Sequence, residues 1–206
     1  MRAPAKLFLA SSNPGKLGEF RALAQTAEPP VPVELELLPR FDSLPSCEEN
    51  APTFAENALG KALHYSRLHL GFVFADDSGL VVPALGGAPG VHSARYAGPG
   101  ATSEERIAKL LGELRGKTGS HHVAHFVCAI ALAKQGRAAA VVTERVDGEI
   151  VDSPRGSGGF GYDPLFYYPP LKKTFAELSA DEKNQHSHRG KAFRKLLGTL
   201  DASQGR

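Results

Sequence analysis

With 206 residues, the chain is long enough for a domain that buries roughly 70% of the surface of its unfolded state. Hydrophobic residues make up 42% and charged residues 22% of it, and the formal net charge is +2, which excludes wholesale disorder and gives no basis for a nucleic-acid partner. No apolar run approaches the length of a membrane span, which is about 18 residues. The two cysteines are too few for a disulfide framework. We therefore expect a cytoplasmic protein with no membrane partner.

The first third of the chain predicts two strands separated by a helix. Lys6–Ala10 is an apolar run typical of a buried strand, and Val33–Leu37 alternates as a half-buried strand does. Between them, Ser11–Lys16 leads into a helix with one apolar face. A capping box at Thr53–Glu56 begins a second helix, which we expect to reach about Leu70. Its polar side chains form one stripe, at Thr53, Asn57, Lys61 and His64.

The rest of the chain predicts more strands, some of them antiparallel. Their ranges are Phe72–Ala75, Val123–Ala133, Ala138–Val146 and, as a final strand, Leu165–Tyr168. A second capping box at Thr102–Glu105 begins a helix, and Asp147-Gly148 is predicted as a hairpin turn. Apolar spacing near the C-terminus predicts a last helix. Because no internal repeat or linker is found, we predict one α/β unit with mixed strands.

The first candidate site is the segment Ser12-Asn13-Pro14-Gly15-Lys16. Here a strand end, the free N–H groups of a helix N-terminus and a lysine coincide, which suits a phosphate group. The segment is not a Walker A loop, because the required Gly-x-x-x-x-Gly-Lys-Ser/Thr spacing is missing. The alternative is an ordinary capped helix with a solvated lysine.

The second candidate site is Asp76-Asp77-Ser78-Gly79, which follows an apolar strand. Adjacent carboxylates repel each other unless a cation or hydrogen-bond donors compensate them. Magnesium with an activated water explains such a pair, because this ion takes few carboxylates and keeps several waters. A further acid, Glu48 or Glu49, would complete the set. The alternative is an acidic turn in which Gly79 provides the bend.

The third candidate is the glycine-rich segment Gly156–Pro164. Its glycines let the backbone approach a ligand, and Phe160 and Tyr162 offer aromatic faces for a base. The Gly-x-Gly-x-x-Gly match within it does not predict a dinucleotide site, because no βαβ unit surrounds it and Asp163-Pro164 disfavours a helix start. A plain flexible loop is the alternative.

The fourth candidate combines Lys183 with the segment Ser187–Lys191, which concentrates cations and donors near the C-terminus. Arg189 is suited to read a carbonyl or a phosphate with paired N–H donors. His186 and His188 are two residues apart, which is more typical of surface residues than of a metal pair.

Taken together, these segments resemble the inosine triphosphate pyrophosphatase family, specifically its bacterial dITP/XTP pyrophosphatase branch. Six motifs carry the resemblance in order: Ser11–Lys16, Thr53–Ala58 with Lys61, Ala75–Leu80, Leu85–Gly90 with Ser93–Tyr96, Gly158–Pro164, and Ser187–Gly190. The resemblance implies one two-lobed α/β domain over residues 1–206. It also implies a long central mixed β-sheet flanked by helices, and an active-site cleft between the lobes.

The same resemblance implies a homodimer that uses Mg²⁺ to cleave the purine nucleoside triphosphates ITP, dITP and XTP to monophosphate and pyrophosphate. Such enzymes remove deaminated purines from the nucleotide pool. Asp77 would be the general base and a metal ligand, and Glu49 the second metal ligand. Contacts to the triphosphate are implied for Ser12, Asn13, Lys16 and Lys61, with Asp76 and Ser78 in support. Contacts to base and sugar are implied for Phe160, Gly161, Tyr162, Asp163, Lys183, His188 and Arg189.

Two rival interpretations remain open at this point. One is a nucleotide pyrophosphatase of the related septum-inhibitor type, with a similar fold but a preference for modified or pyrimidine triphosphates. The other is a nucleotide-binding regulator that does not cleave its ligand. The Asp76-Asp77 pair argues against the regulator, because a pure anion binder has no reason to place two negative charges beside phosphates unless a metal is used.

Overall fold

A computed structural model describes residues 4–12, 14–26, 31–117 and 122–204. The strands in these ranges are β1 (Ala5–Leu9), β2 (Val33–Leu37), β3 (Phe72–Val81), β4 (His122–Lys134), β5 (Arg137–Ile150), β6 (Phe166–Tyr168) and β7 (Lys173–Thr174). The α-helices are α1 (Pro14–Gln25), α2 (Phe54–Ser66), α3 (Ser103–Leu114), α4 (Ala180–His186) and α5 (His188–Gln204). Short 3₁₀ helices lie at Phe41–Ser43, Pro83–Leu85, Gly90–Arg95, Pro169–Leu171 and Phe175–Glu177.

The strands form one mixed sheet in the order β2-β1-β3-β4-β5-β6-β7. β1 pairs in parallel with both β2 and β3, whereas β6 pairs antiparallel with both β5 and β7. The predicted α/β class with a mixed sheet is therefore confirmed. None of the helices within the described residues has the length and hydropathy of a membrane span.

β3 is longer than its sequence pattern predicts. The pattern ends the strand at Ala75, but the strand continues through Asp76 and Asp77 to Val81. Pairing of β1 with β3 stops at Leu9, which lies opposite Phe74. The two acids therefore lie on β3 just past the last paired residue of β1. They do not break the strand because hydrogen-bond donors on other elements compensate each carboxylate.

Three other sequence predictions need correction. Asp147-Gly148 lies inside β5 and is not a turn. Gly148 is needed there for close packing, because a side chain at this position would overlap Phe166 and the Tyr167 carbonyl. α2 ends at Ser66 rather than near Leu70. The strand predicted as the last one is β6, and the short β7 follows it.

Contacts divide the chain into two compact units, each with its own apolar core. The first comprises Met1–Asp77, Cys128–Glu144 and Arg189–Arg206, and the second comprises Ser78–Val127 and Arg145–His188. In the first unit, α1 and α5 cover strands of the sheet, and the Phe20 ring lies 5.2 Å from Phe74 and 4.9 Å from Phe193. The buried residues Leu17, Phe20 and Leu23 confirm the predicted apolar face of α1.

The core of the second unit is built around aromatic side chains. The Phe166 ring lies 4.5 Å from Phe126 and 4.8 Å from Phe175, measured between centroids. α3 adds Ile107 and Leu110 to this cluster. Because rings in such tilted contacts gain dispersion and quadrupole energy, this cluster gives the second unit a fixed frame for its loops.

Candidate active site

Asp76 lies in the interior of the first unit, where it is 1% exposed. Lys16 Nζ on α1 donates to its two oxygens at 2.9 and 3.1 Å, and Arg189 Nη2 on α5 lies 3.5 Å from Oδ2. Burial alone would raise the pKa of Asp76, but the charges of Lys16, Arg189 and Lys61 together hold it well below its ordinary value. Asp76 is therefore a fixed counter-ion for the cations around it.

Arg189 is buried within the same charge network. Its Nη1 donates to Glu19 on α1 at 2.7 Å, so the guanidinium connects two acids on different elements. A buried cation needs such partners, since its desolvation is costly. The sequence assigns Glu19 no role, although it lies three residues after Lys16, a spacing that places both on one face of α1.

Asp77 has different neighbours from Asp76, because successive side chains on a strand point to opposite faces. Asn57 Nδ2 on α2 donates to Asp77 Oδ2 at 2.9 Å. Burial raises the pKa of Asp77, and the charges of Glu49 and Asp76 raise it further, while the Asn57 hydrogen bond and Lys61 oppose this rise. Asp77 is thus a carboxylate whose environment favours taking up a proton.

Lys61 connects α2 to the acidic segment before it. Its Nζ donates to Glu49 Oε2 at 2.8 Å. Burial would lower the pKa of Lys61, but the charges of Asp76, Glu49 and Asp77 outweigh this effect and raise it. Glu48 instead accepts a hydrogen bond from Asn50 at the surface. The geometry therefore favours Glu49 over Glu48 as the acid that accompanies Asp77.

The polar stripe on α2 faces inward at its centre. Asn57 and Lys61 are only 3% and 8% exposed, although the opposite stripe of this helix is also buried. α2 starts where Thr53 accepts a hydrogen bond from the Glu56 N–H at 3.2 Å, and this cap fixes the rotation of the helix. The sequence assigns Asn57 no separate role, although its position one turn before Lys61 places both side chains on one face of α2.

In the second unit, Asp163 organises the glycine-rich loop. Its buried Oδ2 accepts from Phe160 N at 2.7 Å and from Lys183 Nζ at 2.6 Å. The Lys183 ammonium lies 4.6 Å from the centroid of the Phe160 ring, which is 56% exposed. Gly159 has a φ of +72°, and a side chain there would overlap the Asp163 carboxylate. The loop thus holds an exposed aromatic ring beside a cation, an arrangement suited to stacking a base.

Two predicted base contacts are buried. The Tyr162 ring belongs to the core of the second unit, and its hydroxyl donates to the Ser93 carbonyl at 3.0 Å. His188 is also buried and stacks on Phe126, with ring centroids 4.7 Å apart. The interpretation of His188 as a surface residue is therefore wrong, and Tyr162 offers no exposed face for a base.

The remaining predicted residues lie in loops or at element ends. Ser12 is exposed, just before the start of α1. Ser78 follows Asp77 on β3. Gly161 has a φ of +63°, which favours glycine in the loop. The prediction for Asn13 lies outside the described residues.

The acids of the first unit fit a magnesium ion that keeps most of its waters. No group of three or more His, Cys, Asp or Glu residues in the described ranges is arranged to enclose a metal. Glu49 is close enough to Asp77 for its charge to raise the pKa of that residue, so a cation between them would relieve the repulsion. Mg²⁺ is held in this way, by one or two carboxylates together with water and phosphate oxygens.

These features define an α/β protein whose first unit joins one buried carboxylate and two half-buried ones to two lysines, a combination suited to phosphorylated ligands bound with a metal. The chain belongs to the Ham1 family, whose sequence profile matches residues 7–199. This membership confirms the resemblance drawn from the six motifs.

Related proteins agree with this assignment along nearly the whole chain. The dITP/XTP pyrophosphatase of Geobacillus kaustophilus (strain HTA426) is 51% identical over 191 residues, which cover 93% of this chain and 92% of that protein. A HAM1 protein from Coxiella burnetii has a similar structure, with a TM-score of 0.85, 42% identity and coverage of 96% and 99%. The Staphylococcus aureus Ham1 protein gives a TM-score of 0.83 at 38% identity, with the same coverage.

Proposed function

We propose that this chain hydrolyses the non-standard purine nucleoside triphosphates ITP, dITP and XTP to monophosphate and pyrophosphate, and so clears deaminated purines from the nucleotide pool. The observation that carries the proposal is the half-buried Asp77, a carboxylate with a raised pKa that lies among Lys61, Glu49 and Asn57. Similarity over 93% of the chain to a dITP/XTP pyrophosphatase supports it.

Lys16 and Lys61 would bind the triphosphate. Each ammonium is already held by a carboxylate, Lys16 by Asp76 and Lys61 by Glu49. Because the lysines are positioned before the substrate arrives, less side-chain freedom is lost on binding. Their positive charges then stabilise the charge on the phosphate oxygens as the reaction proceeds.

Asp77 would act as the general base. A water molecule attacks the α-phosphorus, and its proton passes to the Asp77 carboxylate. The bond between the α-phosphorus and the bridging oxygen breaks, and pyrophosphate leaves with the electron pair. A general base works best when its pKa lies near the operating pH, so the rise caused by burial favours this role.

Asp77 and Glu49 would hold Mg²⁺ as the cofactor. When bound, the ion supplies charge neutralisation on the phosphates and makes the attacking water more acidic. Asp76 is committed to Lys16 and Arg189, so we assign it a supporting part. Glu49 would exchange part of its contact with Lys61 for the ion.

Phe160 and Lys183 would bind the base, with the exposed ring as a stacking surface. Selectivity among purines would depend on position six of the base. Hypoxanthine and xanthine carry an oxygen there, which accepts a hydrogen bond, whereas adenine carries an amino group, which donates one. Donors of the His188–Arg189 segment would meet that oxygen. A mispaired buried group costs about 1 to 3 kcal/mol, so two such groups would exclude ATP. Comparable hydrolysis of ATP and ITP would contradict this part of the proposal.

The central test is a nucleotide panel of ITP, XTP, GTP, ATP and pyrimidine triphosphates, with and without magnesium. We expect magnesium-dependent release of pyrophosphate, not orthophosphate, from ITP and XTP. Asp77→Asn should keep the fold and lose at least about 100-fold in turnover. Asp147→Asn, which removes an exposed carboxylate from β5, is the matched control and should retain turnover. Preference for pyrimidines would favour the septum-inhibitor type, and binding without cleavage would favour a regulator.

We further propose that the chain is a homodimer, and the open edge of β5 supports this. β5 pairs with β6 only at Glu149 and Ile150, so within the described residues no strand of the sheet covers the edge from Arg137 to Glu144. Between these two charged residues the segment has neither charge nor proline, the features that usually protect such an edge. A second copy could therefore pair along it.

Light scattering tests the dimer, and Val141→Lys tests the edge. Val141 is 42% exposed, so a lysine there should be tolerated by the fold while it disfavours edge pairing. We expect a wild-type dimer and a monomeric variant. A wild-type monomer would contradict the homodimer, and a dimeric Val141→Lys variant would contradict this edge.

The proposal also includes a single domain over residues 1–206, a cytoplasmic location, and the absence of nucleic-acid and membrane partners.

A further inference from the structure

Asn57 holds two segments of the first unit with one side chain. Its Oδ1 accepts a hydrogen bond from the Ala51 N–H at 2.9 Å, and its Nδ2 donates to Asp77 Oδ2 at 2.9 Å. Because a backbone N–H can only donate, the orientation of the amide is determined, and its NH₂ group must face Asp77. The side chain is almost fully buried, so water does not compete for these bonds.

The helix that carries Asn57 also controls the acidic segment. Lys61, one turn further along α2, binds Glu49, while Asn57 binds Ala51 two residues after that acid. The segment from Glu49 to Ala51 is therefore attached to α2 at both ends. Since Asn57 also binds Asp77, the helix fixes Glu49 and Asp77 relative to each other.

We propose that Asn57 is a positioning residue, which sets the orientation of the Asp77 carboxylate and its placement relative to the Glu49 segment. The inference rests on the proposed function of Asp77 and Glu49. Only a neutral side chain with both an acceptor and a donor meets the two requirements. Aspartate would keep the acceptor for Ala51 but would set a second carboxylate against Asp77.

Two variants separate this role from plain packing. Asn57→Ala removes all of these side-chain hydrogen bonds. Asn57→Asp keeps the acceptor for the Ala51 N–H but removes the Nδ2 donor, which serves Asp77 at 2.9 Å and the Ala51 carbonyl at 3.5 Å. We expect both to lower kcat by about 10- to 100-fold, the usual range for a group that orients a site residue. KM for ITP should change less than about threefold, because Lys16 is untouched and Lys61 keeps its place on α2.

Ser66→Ala is the matched control. Ser66 is also buried on α2, and its hydroxyl accepts a hydrogen bond from the Gly136 N–H at 3.0 Å. This variant should lower the thermal midpoint of unfolding as Asn57→Ala does, but leave kcat within about twofold. If Asn57→Asp keeps wild-type kcat, the positioning role is contradicted, and this variant decides the matter if Asn57→Ala does not fold.

A magnesium titration without nucleotide gives a readout independent of catalysis. Ligand binding to the native state raises the unfolding midpoint, so MgCl₂ should stabilise the wild type and Ser66→Ala equally and Asn57→Ala less. Equal stabilisation of all three would overturn the inference. A wild type that releases no pyrophosphate from any nucleotide would contradict the proposed function alone. The magnesium titration would still show whether Asn57 positions the two acids, because it does not depend on catalysis.

Discussion

Replacing Asp76 and Asp77 by asparagine, one at a time, is expected to change stability in opposite directions. The two residues are neighbours on β3, yet their pKa values move in opposite directions from the ordinary value of 3.8. In Asp76 the surrounding cations outweigh burial, whereas in Asp77 burial dominates. A shift in pKa on folding is a contribution to stability, and its sign follows the direction of the shift.

Asp76→Asn removes the counter-charge of Lys16 and of one side of the Arg189 guanidinium. Breaking a buried ion pair from one side costs about 3 to 5 kcal/mol. Arg189 keeps Glu19 as a partner, so the lower value of about 3 kcal/mol is expected. In a chain of this size, 1 kcal/mol corresponds to about 2 to 4 °C, so Tm should fall by about 6 to 12 °C.

Asp77→Asn removes a charge that the folded state disfavours at neutral pH. The new amide keeps an oxygen that can accept the hydrogen bond from Asn57. Removing an unfavourable charge of this kind increases the free energy of unfolding by about 0.5 to 2 kcal/mol, so Tm should rise by a few degrees. The same variant is expected to be inactive, which separates the two effects.

Thermal unfolding followed by circular dichroism, in buffer with a chelator, tests both changes. The stability that Asp76 contributes is present above pH 3.8 and is lost as the pH falls. The difference in Tm between the wild type and Asp76→Asn should therefore become smaller below about pH 4. The penalty from Asp77 develops as the pH rises from its ordinary pKa of 3.8 and is complete above its raised folded-state pKa, so the advantage of Asp77→Asn should disappear in acid. Shifts of the same sign at pH 7, or gaps that do not change with pH, would refute the reasoning.

Three further outcomes are expected. Asp163→Asn weakens the charge-assisted hydrogen bond from Lys183 and should raise KM for ITP by roughly 10-fold in steady-state kinetics. An unchanged KM would show that the loop keeps its shape without this bond. Thr102→Ala removes the N-cap of α3 and should cost about 1 kcal/mol in denaturant unfolding with turnover retained; lost turnover would contradict a purely local effect. Chelation of metal should abolish pyrophosphate release, and added magnesium should restore it; release that persists without metal would contradict the cofactor assignment.

Local patterns in the sequence predict much of the fold because they report on single elements. Periodic apolar residues identify the buried face of α1, and the Thr102 capping box forms as its spacing predicts. The lysines and acids of the candidate site are also recognisable, since a strand end, a helix start and paired carboxylates are unusual combinations. These features depend on neighbours within a few positions along the chain.

The remaining features depend on residues far apart in the chain. Asn57 and Asp77 are 20 residues apart, and Asp76 and Arg189 are 113 apart. A helical pattern can show that Asn57 lies on a polar stripe, but it cannot show whether that stripe meets water or a carboxylate on another element. The acidic partners of Arg189 are not predictable for the same reason, because Glu19 and Asp76 lie on other elements.

The continuation of β3 past Ala75 is what gives the two acids different chemistry. In an exposed turn, which is the alternative that the sequence pattern leaves open, both carboxylates would be hydrated and similar. On a strand, their side chains must point to opposite faces, so Asp76 meets Lys16 and Arg189 while Asp77 meets Asn57. One acid therefore stabilises the charged network, and the other, held in an unfavourable environment, remains available to accept a proton.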